Sequence, residues 1–170
     1  YALEKKRCIL GDEQGLGKTV EAIGLLTSTR AFPALVICPA SLKINWQREL
    51  RKFGGLNAVI LSNDNRATWQ RFWEMKKADG RACAEVFIVN YESLKKFFVE
   101  RIRRDGRFTL KSVDFDERVK LFRTVIIDES HKCKNSGTQQ SKFVQGIAMG
   151  KEYVLELTGT PVVNNNIDLI

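Results

Sequence analysis

The chain has 170 residues, enough to bury one full core, and its 44% hydrophobic and 28% charged residues are those of a folded globular domain, not of a disordered chain. A net charge of +8 points toward a polyanionic partner, and no apolar run approaches the ~20 residues of a membrane-spanning helix. Cys8, Cys38, Cys83 and Cys133 form no Cys-x-x-Cys pair, which removes the zinc-ribbon and dithiol-redox readings. Cys8 and Cys38 read as small core residues, and His131 with Cys133 lacks a second ligand pair at usable spacing for a metal. The first residues are too few and too charged for a signal peptide, and the absence of an initiating Met reads as a piece of a longer, intracellular protein.

In chain order, Cys8 to Leu10 reads as a buried strand. A Gly-rich loop follows, and Lys18-Thr19 opens an amphipathic helix with Val20, Ile23, Leu25 and Leu26 as its apolar stripe. Strand, glycine loop and helix N-terminus together make a phosphate-binding layout. Glycines let backbone N–H groups turn onto phosphate oxygens, and the helix end favours the anion. Lys18 can reach β- and γ-phosphates, and Thr19 can place its hydroxyl on Mg²⁺. The strict pattern wants glycine at position 12, where this chain has Asp12.

Ala34 to Cys38 is a continuous apolar run closed by Pro39, as expected for a strand buried on both faces of a parallel sheet. Ser41 reads as the N-cap of a helix from Leu42 to about Phe53, and Lys43, Asn45 and Gln47 are candidates to reinforce a second phosphate contact there. Gly54-Gly55 ends that helix, and Asn57 to Leu61 reads as a strand. A helix carrying Trp69, Phe72, Trp73 and Met75 on one face reads as core packing. Glu85 to Asn90 is another buried-type strand, and a helix starts at Tyr91. From Lys95 to Leu121 the chain is irregular and basic, with Phe97, Phe98 and Phe108 between its arginines. A solvated helix and hairpin excursion is favoured there over a nucleic-acid contact.

Val125 to Ile127 reads as a strand running into Asp128-Glu129. With a phosphate loop upstream, an acidic residue at this strand end binds nucleotide Mg²⁺, and its neighbour is placed to orient or deprotonate the attacking water. Thr138 to Ala148 reads as a helix. Tyr153 to Leu157 is a last strand running into Thr158-Gly-Thr-Pro161, where parallel sheets keep their ligand crevice. Alternating strands and helices predict a three-layer α/β domain with a mainly parallel sheet, one domain over residues 1–170.

In this order the motifs resemble the first RecA-like lobe of Swi/Snf-type ATPases in helicase superfamily two. Asp12-Glu-Gln-Gly-Leu-Gly-Lys-Thr19 looks like motif I. Leu35 to Leu42 with Trp46 is similar to motif Ia, and Val89-Asn-Tyr-Glu-Ser-Leu94 matches a further segment of that lobe. Asp128-Glu-Ser-His131 looks like motif II, and Leu157 to Val162, followed by Asn164-Asn165, looks like motif III. The resemblance implies a RecA-like P-loop NTPase fold and a double-stranded-DNA-dependent ATPase that translocates without separating strands. ATP and Mg²⁺ are its implied cofactors. It implies that Asp12, Glu13, Gln14, Gly15, Leu16, Gly17, Lys18 and Thr19 bind nucleotide, that Thr19 and Asp128 hold Mg²⁺, and that Glu129 positions water. Pro39, Ser41 and Lys43 would lie near DNA, while His131, Thr158 and Thr160 would couple hydrolysis to movement. Implied partners are duplex DNA, nucleoprotein substrates and a second RecA-like lobe of the same polypeptide, with no membrane. The implied location is the nucleus in a eukaryote and the nucleoid in a bacterium. Because that second lobe supplies the arginine fingers and is absent here, the fragment is expected to be nearly inactive. The alternatives are a strand-separating helicase of another branch and a non-enzymatic nucleic-acid-binding module. A GTPase lacks its base-reading Asn/Thr-Lys-x-Asp string here.

Overall fold

A computed structural model describes residues 7–10, 16–104, 106–129 and 138–158, with backbone only at 7–10 and 16. Its centre is a six-stranded sheet in the order β1-β8-β7-β2-β4-β3. The strands are β1 (Arg7–Leu10), β2 (Ala34–Cys38), β3 (Ala58–Ile60), β4 (Val86–Asn90), β7 (Thr124–Asp128) and β8 (Tyr153–Leu157), and every pairing is parallel. The apolar runs are continuous because both faces are covered. Along β2, all five residues from Ala34 to Cys38 are fully buried.

Alternation along the strands divides the core in two. Ala34, Val36 and Cys38 of β2, with Val86, Ile88 and Ile126, pack beneath α1 (Leu16–Thr29) and α2 (Lys43–Gly54). Leu35 and Ile37, with Phe87, Val89, Val125 and Ile127, pack against α4 (Leu94–Phe98) and α5 (Gln139–Ala148). The result is the three-layer α/β architecture expected from the strand–helix alternation. Short α3 (Gln70–Glu74) follows the turn after β3, and β5 (Val99–Ile102) pairs antiparallel with β6 (Val113–Phe115) in a separate hairpin, the favoured reading of that basic stretch.

Four local readings need correction. Val20 is 41% exposed, so the buried stripe of α1 is Ala22, Ile23, Leu25 and Leu26. Ser41 caps nothing. A 3₁₀ turn over Ala40–Leu42 precedes α2, and its own carbonyls take the first donors, with Leu42 N–H bonded to Pro39 O at 2.9 Å. The helix after Trp69 spans only Gln70–Glu74, so Trp69 enters the core while Phe72 and Met75 stay exposed. The helix of the basic excursion is not a solvated one, because Leu94, Phe97 and Phe98 are buried in the core beneath the hairpin.

Candidate active site

Parallel strands end together, so their carboxyl ends bring distant residues to one edge. Helix α1 leaves the edge just after β1, with Gly17, Lys18 and Thr19 in its first turn; Gly17 is exposed, Thr19 half-buried and Lys18 only 6% exposed. Asp128 ends β7 and is in register with Leu157 of β8, so fully buried Thr158 follows directly beside it. Cys38 and Pro39 end β2 next door, and Asn90 ends β4 beyond. This is the edge where open α/β sheets hold ligands.

Asp128 is the centre of the cluster. The Trp46 indole Nε1–H donates to Asp128 Oδ2 at 2.7 Å, and the Tyr91 hydroxyl donates to the Asp128 backbone carbonyl at 2.5 Å. Burial raises the Asp128 carboxyl above its ordinary value, and the Glu129 charge adds to this. The Trp46 hydrogen bond and the Lys18 charge oppose it, so Lys18 and Asp128 share one electrostatic site. Burial also pushes the Cys38 thiol up to about 12, with the Asp128 charge contributing, which leaves a neutral, inert thiol under the site. Glu129, directly after β7, has a φ of 54°, a left-handed conformation uncommon for a side-chain-bearing residue.

Asp12, Glu13, Gln14 and Gly15 lie outside the described residues, as do His131, Cys133 and Thr160. Of the proposed second phosphate contact, Pro39 is buried, Ser41 exposed and Lys43 half-buried. Lys43 Nζ donates to Asn90 Oδ1 at 3.2 Å, Asn45 to Glu49 Oε2 at 3.2 Å and Gln47 to Ala58 O at 3.0 Å. Asn45 and Gln47 therefore support α2 and its neighbour β3 rather than an anion. No group of His, Cys, Asp and Glu among the described residues could hold a metal by itself, and no described helix is long and apolar enough to cross a membrane. Asp128 carboxylate and Thr19 hydroxyl are hard oxygen donors, the type Mg²⁺ takes alongside nucleotide phosphates, so the residues present fit that ion.

The sequence reading named Trp46 and Tyr91 but gave neither a role. The missed signal was chemical: a buried indole or phenol needs an acceptor, and an acidic residue at a neighbouring strand end can supply one.

Residues 1–170 match the SNF2-related domain. The chain is 32% identical over 163 residues to Chromodomain-helicase-DNA-binding protein 1-like of Danio rerio, covering 93% of this chain and 14% of that protein. It is 35% identical over 171 residues to Chromodomain-helicase-DNA-binding protein 6 of Mus musculus, covering 95% of this chain and 6% of that protein. Protein CHROMATIN REMODELING 19 of Arabidopsis thaliana is 33% identical over 164 residues, covering 92% and 20%. The chain thus spans a fifth or less of these relatives' length. Among solved structures it is similar to the Sulfolobus solfataricus SWI2/SNF2 ATPase core in complex with dsDNA, with a TM-score of 0.62, 30% identity and coverage of 92% of this chain and 28% of that one. A hypothetical ATP-dependent RNA helicase from Sulfolobus tokodaii, at 15% identity and a TM-score of 0.61 over 93% of this chain and 43% of that one, shares the fold. The chain belongs to the SNF2-related domain family, and its sheet is that of the RecA-like ATPase cores.

Proposed function

We propose that residues 1–170 form the first, ATP-binding lobe of a double-stranded-DNA-dependent ATPase that translocates on duplex DNA, working with a second RecA-like lobe of the same polypeptide. The observation that carries this reading is the gathering of Lys18, Asp128 and Glu129 at one sheet edge, with Lys18 close enough to lower the proton affinity of Asp128. The family match, and a solved SWI2/SNF2 core described in complex with dsDNA, support the choice of polymer.

In this reading the Gly-rich motif ahead of α1 would give backbone N–H groups to the phosphates, and Lys18 would place its ammonium on the β- and γ-oxygens. Thr19 and Asp128 would hold Mg²⁺, which when bound would neutralise charge on those oxygens. Glu129 orients the attacking water and accepts its proton, while the ADP oxygen leaves in line. Pro39, Ser41 and Lys43 face the DNA backbone from the start of α2. Thr158, beside Asp128, and His131 and Thr160 pass the change at the γ-phosphate to the DNA-bound surface. Contacts to DNA are phosphate-directed, salt-sensitive and indifferent to sequence. The arginine finger comes from the second lobe, so the isolated fragment turns over some 10³- to 10⁵-fold more slowly. The protein works where chromosomal DNA is, in a nucleus or a nucleoid, on nucleoprotein substrates.

The test is ATP hydrolysis by the whole protein, with and without duplex DNA, beside Lys18→Ala and Glu129→Gln. Duplex DNA is expected to raise turnover many-fold. Lys18→Ala should abolish both binding and hydrolysis, and Glu129→Gln should abolish hydrolysis while nucleotide still binds. Stimulation by single strands or RNA alone would move the protein to another helicase branch. Indifference to all nucleic acids would refute the reading.

A further inference from the structure

The chain has two fully buried tryptophans, and they differ in one respect. Trp69 stacks on Phe122 at 5.3 Å and meets Phe87 and Phe98 edge-on, and its Nε1 has no hydrogen-bond partner among the described residues. It fills the core, with the Arg118 guanidinium 5.1 Å from its ring centroid and its N–H committed to no acceptor there. Trp46, 2% exposed, aims its Nε1–H across the boundary between α2 and the sheet and donates to the carboxylate of Asp128, 82 residues away in sequence. At 2.7 Å the bond is in the range of charge-assisted hydrogen bonds. From the α4 side of the sheet, Tyr91 holds the backbone carbonyl of the same residue.

A strand-end aspartate has two side-chain torsions free unless something holds them. The Tyr91 bond pins its main chain, and the Trp46 bond takes one carboxylate oxygen and sets the plane of the group. We infer that Trp46 is a positioning residue of the nucleotide site, committing Oδ2 of Asp128 to its indole so that Oδ1 is presented, in one orientation, to the nucleotide-bound Mg²⁺. The inference rests on the nucleotide-site reading above. Hydrogen-bonded partners of this kind, one step removed from a metal, typically change metal affinity by about 10- to 100-fold when removed.

The test uses the whole protein with Trp46→Phe, and with β-(3-benzothienyl)alanine incorporated at position 46. The second variant keeps the shape of tryptophan and replaces its N–H by sulfur, so it removes the donor even if the phenylalanine variant does not fold. Binding of a fluorescent ADP analogue is measured in EDTA and then across a Mg²⁺ titration, with Trp69→Phe as the control for loss of a buried indole whose N–H has no acceptor among the described residues. The expected result is unchanged affinity in EDTA for both Trp46 variants and a half-saturating Mg²⁺ concentration raised about 10-fold or more, with the Trp69 variant titrating as wild type. Wild-type Mg²⁺ dependence in the benzothienylalanine protein would overturn the inference while leaving the nucleotide site standing. Failure of the wild-type protein to bind nucleotide at any Mg²⁺ concentration would overturn both.

Discussion

Glu85 is a buried carboxylate with several partners, and Arg81→Ala isolates its charge. Its side chain is 3% exposed. Arg81 spans it, with one guanidinium N–H on Oε1 at 2.6 Å and another on Oε2 at 3.4 Å, and also reaches Gly55 O at 2.6 Å. Asn57 N–H donates to Oε1 at 3.2 Å, and Arg30 stands 3.6 Å from Oε2. The carboxylate therefore links the ends of α1 and α2 to the start of β4. Removing one partner of a buried ion pair costs about 3–5 kcal/mol, because the other charge stays desolvated. Here Arg81 is 36% exposed, and Glu85 keeps Asn57 and a distant Arg30, so the cost falls to about 2 kcal/mol. For a domain of this size that lowers the thermal midpoint by about 4–8 °C. Calorimetry or circular dichroism on Arg81→Ala measures it, and Arg81→Ala/Glu85→Gln is the decisive companion. The neutral amide still accepts from Asn57 but leaves no buried charge, so the double variant should recover at least half of the loss. A double variant no more stable than Arg81→Ala would refute the reasoning, since the penalty would then not come from an uncompensated carboxylate.

Asp116 makes a pH prediction. Bonds from Arg118, at 2.9 and 3.0 Å to its carboxylate oxygens, hold its carboxyl below the usual 3.8. A depressed carboxyl stabilises the fold above its unfolded value, and that contribution disappears as pH falls through the folded one. Arg118→Gln should therefore weaken the protein at about pH 6 and narrow its deficit toward about pH 3, as read by urea unfolding at both; a deficit equal at the two pH values would exclude the linkage. Gly55 ends α2 in a left-handed conformation with φ 60°, its N–H on Arg51 O at 3.0 Å, and an added Cβ there meets nothing within 4 Å. Gly55→Ala should cost about 1 kcal/mol in urea unfolding, from backbone conformation alone, with Gly55→Asn less harmful. Equal stability of glycine and alanine would contradict that assignment.

The periodicity of the sequence was sufficient for the class of fold. Runs such as Ala34–Cys38 and Thr124–Asp128 are apolar at every position because a parallel sheet is covered on both sides, and this pattern is written locally. The ends of helices were less readable. Ser41 has the chemistry of a cap, but a 3₁₀ turn had already satisfied the backbone. Phe72 and Met75 share a helical spacing with Trp69, but the helix stops before that spacing can bury them. Lys18, Asp128 and Glu129 were named from the chain as candidates for phosphate and magnesium chemistry, and the fold brings them to one edge of the sheet.

What the sequence determined by itself, then, was the set of chemically competent groups and the layered α/β frame, since both follow from local spacing and residue type. Tertiary structure alone decided which groups meet. Strand β8, the last among the described residues, inserts between β1 and β7 and sets Thr158 beside Asp128, and α2 folds over the sheet to bring Trp46 to the same carboxylate. Such contacts join residues tens of positions apart through strand order and helix packing. No local pattern encodes them, because a hydrogen bond between elements depends on where the whole sheet places both partners.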